Sequence, residues 1–172
     1  MDQLNDLITE LCACPEDPNA ALSLTAAAVR KPGGLLAAIE AHPAPWYFLA
    51  DPGLTVFATR SAPGTGSAPH SHGLWAVVAC LGGQEGSRTY EVEDGQLTER
   101  GQRRLAAGET HSLDANAIHA VFNCWSGPNI VLHVYGGDFL KAAKTVYDPL
   151  SGDGYPLGLT EPLVPHDSEA AA

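Results

Sequence analysis

The sequence has few basic residues and no long apolar run. Nine lysines and arginines stand against 20 aspartates and glutamates, which gives a formal net charge of −11. Such a chain would be repelled by a phosphate backbone or an anionic membrane surface, so neither nucleic acid nor a membrane is an expected partner. No apolar stretch approaches the roughly 20 residues that span a bilayer. The acidic start, Met1–Asp6, lacks the basic and apolar regions of a signal peptide, and a cytoplasmic location is therefore expected.

Cysteine is also scarce, with four residues in a chain of 172. Cys12 and Cys14 are too isolated to form a zinc site, and cysteines of a cytoplasmic protein are expected to be reduced, so packing roles are predicted for them. Glycine and proline, in contrast, are frequent, with 18 and 13 residues. That composition favours short strands and tight turns over a helical bundle.

The pattern of apolar residues changes near Pro45. Before it, residues 2–14, 19–30 and 34–41 have helical spacing or helix-forming composition and are closed by proline or glycine. After it, short apolar segments alternate with turn sequences such as Asp51-Pro52-Gly53. Strands are predicted at 46–50, 54–60, 73–81, 87–92, 97–105, 110–113, 118–123 and 130–135, and residues 139–147 fit either a short helix or a last strand.

This arrangement predicts a single domain with three parts. A helical segment, residues 1–45, packs on a barrel. Residues 46–161 form that barrel, because many short strands at regular spacing are typical of a sandwich or jelly roll. Residues 162–172 form a flexible tail.

Two of the seven histidines, His70 and His72, are separated by the single residue Ser71. In an extended segment both side chains leave on the same face, so two neutral imidazoles can meet one metal ion. The pair has informative neighbours, since Gly64 lies six residues before His70 and Gly83 eleven after His72. A second group follows with successive offsets of 6, 2, 3 and 4 residues: Gly108, Asp114, Asn116, His119 and Asn123.

These spacings resemble the two motifs of the cupin superfamily, G-x5-H-x-H-x3-E-x6-G and G-x5-P-x-G-x2-H-x3-N. The resemblance implies a mainly β fold, the cupin double-stranded β-helix or jelly-roll barrel, with short N-terminal helices added here. It also implies that His70, His72 and His119 bind a metal ion.

Three identities depart from the motifs: Asp114 and Asn116, which are ordinary turn formers, and Ala76, which stands where the motif has an acid. Without that carboxylate, three neutral histidines leave a divalent ion its full charge, so an anionic ligand such as a thiolate is favoured. Imidazole suits iron, zinc, nickel and copper alike, so the ligand type leaves the metal open.

A closer resemblance covers roughly residues 46–160. The segments His70–Val78 and Leu132–Asp138, with Tyr147-Asp148-Pro149 downstream, are similar to bacterial thiol dioxygenases of the cysteine dioxygenase type. The resemblance implies one non-haem Fe(II) ion and a reaction that adds both atoms of O2 to the sulfur of a small thiol, giving a sulfinate.

The same resemblance assigns roles to two residues of the second segment. His133 and Tyr135 match a histidine and a tyrosine near the iron, where the tyrosine hydroxyl bonds to substrate or oxygen and the histidine orients it. The family often has a serine two residues before this histidine, and this sequence has Val131. The hydroxyl relay is therefore expected to be shortened.

The substrate contacts differ as well. The family holds a substrate carboxylate with arginine or glutamine in the strand before the first motif, and the matching segment here, Trp46-Tyr47-Phe48, contains neither. A buried carboxylate without a cation is costly, so the substrate is predicted not to be plain cysteine. Either the thiol is larger or less charged, or another cation holds it, for which Arg60 is the candidate. Further candidate pocket residues are Trp46, Tyr47 and Trp75.

Two other classes of function stay open. One is a different metal-dependent cupin enzyme, for example a dioxygenase that acts on carbon or an isomerase. The other is a non-enzymatic cupin that binds a metal or small ligand, although a regulatory sensor would usually carry a basic DNA-binding segment and none is found. The exposed barrel edges and the N-terminal helices would also allow a homodimer.

Overall fold

Three helices open the computed structural model, which describes residues 3–156 and 164–165. They are α1 (Gln3–Cys12), α2 (Pro18–Val29) and α3 (Pro32–Glu40), each within two residues of its predicted bounds. The start of α2 is capped by Asp17, whose Oδ1 accepts from the backbone N–H groups of Asn19 and Ala20 at 2.9 and 3.0 Å. A proline in the first turn suits this start, because that position needs no N–H donor.

All described elements after α3 are strands. Their bounds are β1 (Tyr47–Ala50), β2 (Thr55–Ser61), β3 (Thr65–Gly66), β4 (His70–Ser71), β5 (Ala76–Gly82), β6 (Gln84–Glu93), β7 (Gln96–Ala106), β8 (Thr110–Leu113), β9 (Ile118–Asn123), β10 (Asn129–Tyr135), β11 (Thr145–Tyr147), β12 (Gly154–Pro156) and β13 (Val164–Pro165). The pairings between them are antiparallel.

The strands form two sheets with jelly-roll order. The first sheet runs β1-β2-β10-β5-β8. In the second, β9 pairs with β3 and β4 along one edge and with β6 along the other, and β7 pairs with β6. From β2 to β10 the chain thus alternates between the sheets, with the short strands β3 and β4 and the β6–β7 hairpin each counted as one visit to the second sheet. This is the connectivity of a double-stranded β-helix. The predicted mainly β fold with short N-terminal helices is confirmed.

The first sheet buries both of its faces. Alternate residues of β10, Leu132 and Val134, are fully buried on the face that packs against the helices. Leu4 of α1 and Leu35 of α3 belong to the same apolar cluster, which we call the helix-side core. Because strand side chains alternate between faces, the intervening residues of β10 point between the two sheets.

Leu132→Ala should be strongly destabilising. The side chain is completely buried in the helix-side core, and removing it leaves a cavity that costs about 2–5 kcal/mol in the free energy of unfolding. Urea denaturation followed by circular dichroism measures this. Leu150→Ala is the matched control, because Leu150 is 94% exposed and should change stability by less than about 0.5 kcal/mol. A loss below about 1 kcal/mol for Leu132→Ala would contradict this account of the core.

The face between the sheets holds the second apolar cluster, the barrel interior. Its members from the first sheet are Phe57, Ala76, Val78, Cys80, Leu113, Val131 and Tyr135, and Leu105 joins them from β7 of the second sheet. Ala76 is completely buried here. The residue that stands in place of the motif acid is therefore part of the apolar lining.

Two parts of the motifs have structural explanations. Gly64 and Gly108 have φ angles of 72° and 91°, a left-handed backbone that glycine adopts without steric cost. Asn123 ties loops to the barrel, since its Nδ2 donates to the carbonyls of Ser61 and Gly127 at 2.9 Å each, and its Oδ1 accepts from the backbone of Trp125. These residues stabilise the ends of the strands that carry the histidines.

Residues 139–147 were predicted to form a short helix or a last strand, and neither element extends over their whole length. Asp138 Oδ1 accepts from the backbone N–H groups of Leu140 and Lys141 at 3.2 Å each, which makes a turn, and β11 begins only at Thr145. The predicted flexible tail, 162–172, lies outside the described residues except for Val164–Pro165. No helix of the described part is long and apolar enough to cross a bilayer.

Candidate active site

Three histidines from the first and second motifs meet at the second sheet. His70 in β4 pairs directly with His119 in β9, and His72 follows β4 by one residue. The ring centroids lie 4.5 Å apart for His70 and His119, 5.2 Å for His72 and His119, and 6.1 Å for His70 and His72. The structure therefore brings together all three residues that the spacing predicts.

The hydrogen bonds of two histidines fix which ring nitrogen is free. His70 Nδ1 lies 2.9 Å from the carbonyl oxygen of Ala68, and His72 Nδ1 lies 2.9 Å from that of Leu74. A carbonyl only accepts, so each Nδ1 carries the hydrogen and each Nε2 offers a lone pair. The Nε2 atom of His72 is buried without a hydrogen-bond partner, and so are both nitrogens of His119.

All three imidazoles are held neutral by their surroundings. Burial lowers the pKa of His70, and burial together with the neighbouring histidines lowers the pKa of His119. Burial, followed by the nearby charges of His70 and Lys144, lowers the pKa of His72 to about 4. Neutral rings with unpaired, buried nitrogens are costly in an apolar surrounding unless something binds them.

The three rings have the donor chemistry of a metal site, and their separations lie within the span of one ion. An imidazole nitrogen binds a transition metal at about 2.0–2.1 Å, so ring centroids lie roughly 3.2 Å from the ion and at most about 6.4 Å from each other. The three observed separations are below that limit. As the side chains of the described residues stand, no group of three or more His, Cys, Asp or Glu encloses a single point, so the rings must turn to close on an ion.

Tyr135 reaches this cluster from the opposite sheet. Its ring packs edge-to-face on His72 with centroids 4.8 Å apart and lies 4.2 Å from the ring of Phe139. It is only 4% exposed. Burial, with smaller effects from Glu85 and Tyr47, raises the pKa of its hydroxyl. The hydroxyl of Tyr135 thus stays protonated at neutral pH and can donate a hydrogen bond.

His133 is placed beside Tyr135 by packing. The two rings are nearly parallel at 6.2 Å, and the ring of Phe57 stacks on both, at 4.9 Å from His133 and 5.6 Å from Tyr135. His133 Nε2 forms a hydrogen bond of 3.1 Å with the hydroxyl of Thr59. A hydroxyl from β2, that of Thr59, therefore bonds to His133, whereas Val131, two residues before His133, offers none.

The four predicted substrate contacts are divided between two regions. Tyr47 stacks on Phe57 at 5.0 Å and so lies at the edge of the aromatic group around Tyr135. Trp46 and Trp75 pack instead against the helix-side core. Arg60 is exposed and pairs with Ile130, a residue of that same core, so it is on the sheet face turned away from the histidines. Arg60 does not point towards the histidines because alternate residues of a strand point to opposite faces of the sheet.

Sequence reasoning missed three residues near the histidines: Phe57, Phe139 and Lys144. Phe57 lies directly across from His133 in the register of β2 and β10, a pairing that the sequence alone does not define. Lys144 is 8% exposed and holds its Nζ 4.4 Å from the centroid of Phe139. Both Phe139 and Lys144 belong to the segment whose structure the sequence left undecided.

Comparison with known proteins finds partial structural similarity at low sequence identity. No family model matches the chain. A recombinant oxalate oxidase in complex with glycolate is 20% identical, with a TM-score of 0.44 over 50% of this chain and 43% of that one. The DMSP lyase DddQ from Ruegeria pomeroyi DSS-3 is 21% identical, with a TM-score of 0.46 over 58% and 46%.

A third solved structure, oxalate decarboxylase from Bacillus subtilis at pH 4.6, is 17% identical, with a TM-score of 0.46 over 55% of this chain and 24% of that one. The chain thus spans less than half the length of each of these proteins. All three are enzymes by name, and at these identities the similarity carries nothing about substrate or reaction.

Proposed function

We propose that this chain is a non-haem Fe(II) thiol dioxygenase that converts a small thiol and O2 into a sulfinate. The observation that carries the proposal is the cluster of His70, His72 and His119, which has buried unpaired nitrogens and no carboxylate among its three members. Three neutral ligands leave a divalent ion its whole charge, and this favours the binding of a thiolate over a neutral ligand.

The ion would be held by Nε2 of His70 and His72 and by a ring nitrogen of His119. When bound, Fe(II) would supply the positions at which the thiol sulfur and O2 come together. The backbone carbonyls of Ala68 and Leu74 hold the first two rings in the tautomer that ligation requires. His119 enters from the facing strand, so the ligand set joins two strands of one sheet.

Residues of the opposite sheet would contact the substrate and donate hydrogen bonds during the reaction. Tyr135, whose hydroxyl is held still further from ionisation because burial raises its pKa, would donate a hydrogen bond to an oxygen atom during transfer to sulfur. Phe57 packs against both Tyr135 and His133 and holds their rings in place. Phe139 closes the group on another side, at 4.2 Å from Tyr135, which helps to keep water from the reacting atoms.

The Fe(II)-loaded protein should consume O2 in the presence of a thiol and release a sulfinate. The test is an oxygen electrode with five thiols: cysteine, 3-mercaptopropionate, cysteamine, mercaptosuccinate and a bulkier aromatic thiol. Mass spectrometry of the product should show a gain of two oxygen atoms. We expect uptake with one or two of them and the weakest rate with plain cysteine.

An absence of O2 uptake with all five thiols, in protein that has iron bound, would refute the proposal. Uptake of O2 with a carbon acid or a diketone in place of a thiol would assign the site to oxygenation at carbon. Bound iron without any turnover would favour a non-enzymatic cupin that binds a metal or small ligand.

A further inference from the structure

Lys144 is a buried cation beside the histidine cluster. Its relative exposure is 8%, and within residues 3–156 and 164–165 it forms no ion pair. Its ammonium group has three N–H donors, and one of them bonds to the carbonyl oxygen of Ala142 at 3.3 Å. Burying an ammonium group whose N–H donors lack acceptors costs free energy unless an anion binds to it.

The position of Lys144 connects it to the proposed reaction centre. Its Nζ lies 4.4 Å from the ring centroid of Phe139. The same ring is 4.2 Å from Tyr135 and 6.2 Å from His72. One aromatic side chain therefore contacts the ammonium, the tyrosine and a metal-ligand histidine, and the charge of Lys144 is among the causes that lower the pKa of His72.

A neighbouring lysine gives a useful contrast. Lys141 is 83% exposed and pairs with the carboxylate of Asp138 at 2.8 Å. Burial lowers the pKa of Lys144, and the charge of Asp138 opposes that shift. The side chain of Asp138 is itself engaged by Lys141 and by the turn that follows. The surface lysine thus has a carboxylate partner, whereas the buried lysine has an aromatic ring and a backbone carbonyl.

We propose that Lys144 binds the carboxylate of an anionic thiol substrate while the thiol sulfur faces the histidine cluster. The inference rests on the proposed thiol oxygenation. Lys144 would supply the cation that is missing from the segment Trp46-Tyr47-Phe48. Arg60 does not supply it, because that residue lies on the far face of its strand. A fixed positive charge also disfavours a substrate with an α-ammonium group, so a mercapto-carboxylate without an amine is preferred over cysteine.

The test is equilibrium binding to the Fe(II)-loaded protein without O2, by calorimetry. Two thiols are compared, 3-mercaptopropionate with a carboxylate and 2-mercaptoethanol without one. Lys144→Met keeps an unbranched apolar side chain beside Phe139 and removes the charge. It should raise the Kd of 3-mercaptopropionate by about 10- to 100-fold and leave the Kd of 2-mercaptoethanol within about twofold.

Two further variants make the result specific. Lys144→Arg retains the charge and should keep the Kd of 3-mercaptopropionate within about fivefold of the wild-type value. Lys141→Met, an exposed lysine three residues away, should leave both Kd values unchanged. Equal weakening of both thiols by Lys144→Met would assign the residue to packing and overturn the proposal, as would an absence of any change.

The same data separate this inference from the proposed function. If the wild-type protein oxidises neutral thiols and binds 3-mercaptopropionate no more tightly than 2-mercaptoethanol, the role of Lys144 is overturned and thiol oxygenation stands. If no thiol binds to the iron-loaded protein and none is oxidised, both proposals fail.

Discussion

Replacement of His119 with alanine should abolish iron retention and, with it, catalysis. His119 is 3% exposed, and both of its ring nitrogens are buried without a partner. Loss of an outer partner of a ligand already costs 10- to 100-fold in metal affinity, so loss of the ligand itself should cost more than about 100-fold. Metal content after gel filtration, measured by mass spectrometry, tests this directly.

Thermal stability offers a second measurement of the same site. A ligand that binds only the folded state stabilises it, by about 2.7 kcal/mol at 100 times its Kd. The wild-type Tm should therefore rise when Fe(II) is added to the metal-free protein under anaerobic conditions. In His119→Ala this rise should disappear, and it is measured against the metal-free variant because loss of the buried ring leaves a cavity that lowers the Tm of that variant on its own.

His42→Ala is the matched control. His42 is exposed between α3 and β1, where its ring packs at 5.4 Å on Phe48, a residue that packs against the helix-side core. It should keep its iron and its rise in Tm. Normal iron content in His119→Ala would remove His119 from the ligand set and leave His70 and His72 as an ordinary pair of histidines.

The fold was largely predictable from the sequence because it depends on local signals. Proline, glycine and alternating apolar residues define the three helices and most strands of the described part to within a few residues. Gly64 and Gly108 mark backbone positions with positive φ, which is a property that a spacing pattern can carry. The histidine cluster was predictable for the same reason, because His70 and His72 share a face and His119 follows a turn at a fixed distance.

The surroundings of the histidines depend on pairing across strands, which the sequence does not define. Arg60 illustrates this, since one residue of register decides which face of β2 it occupies, and its partner Ile130 belongs to the helix-side core. Thr59, the residue before Arg60, faces the other way and bonds to His133. Trp46 and Trp75 were equally ambiguous, because an aromatic side chain suits a core and a pocket alike.

The sequence did not indicate Lys144 as a site residue, and the reason is different. Its segment begins with the turn at Asp138, whose carboxylate accepts two backbone hydrogen bonds and leads the chain back towards β4. A lysine in such a stretch is usually exposed, and only the packing of Phe139 against Tyr135 brings it to the site. The proposed substrate contact thus depends on tertiary packing, whereas the proposed metal ligands follow from the spacing of the two motifs.

Tyr135→Phe should slow oxygenation by roughly 100-fold, the contribution expected of a well-placed proton or hydrogen-bond donor. The substitution removes one hydroxyl and keeps the ring that packs on His72, Phe57 and Phe139. Iron content and Tm should therefore stay at wild-type values. The measurement is kcat for O2 uptake with the best thiol, together with the ratio of sulfinate formed to O2 consumed.

Tyr135→Phe tests the contribution of the hydroxyl to the rate, because the ring is retained. Tyr155→Phe is the control, because Tyr155 is 52% exposed and lies in β12, outside the aromatic group around Tyr135; it should keep the wild-type kcat. If Tyr135→Phe retained the wild-type rate, Tyr135 would be a packing residue and proton supply would have to come from elsewhere. If the rate fell while O2 was still consumed without sulfinate, the hydroxyl would direct oxygen to sulfur, because it would hold the oxygen atom in line with the thiol.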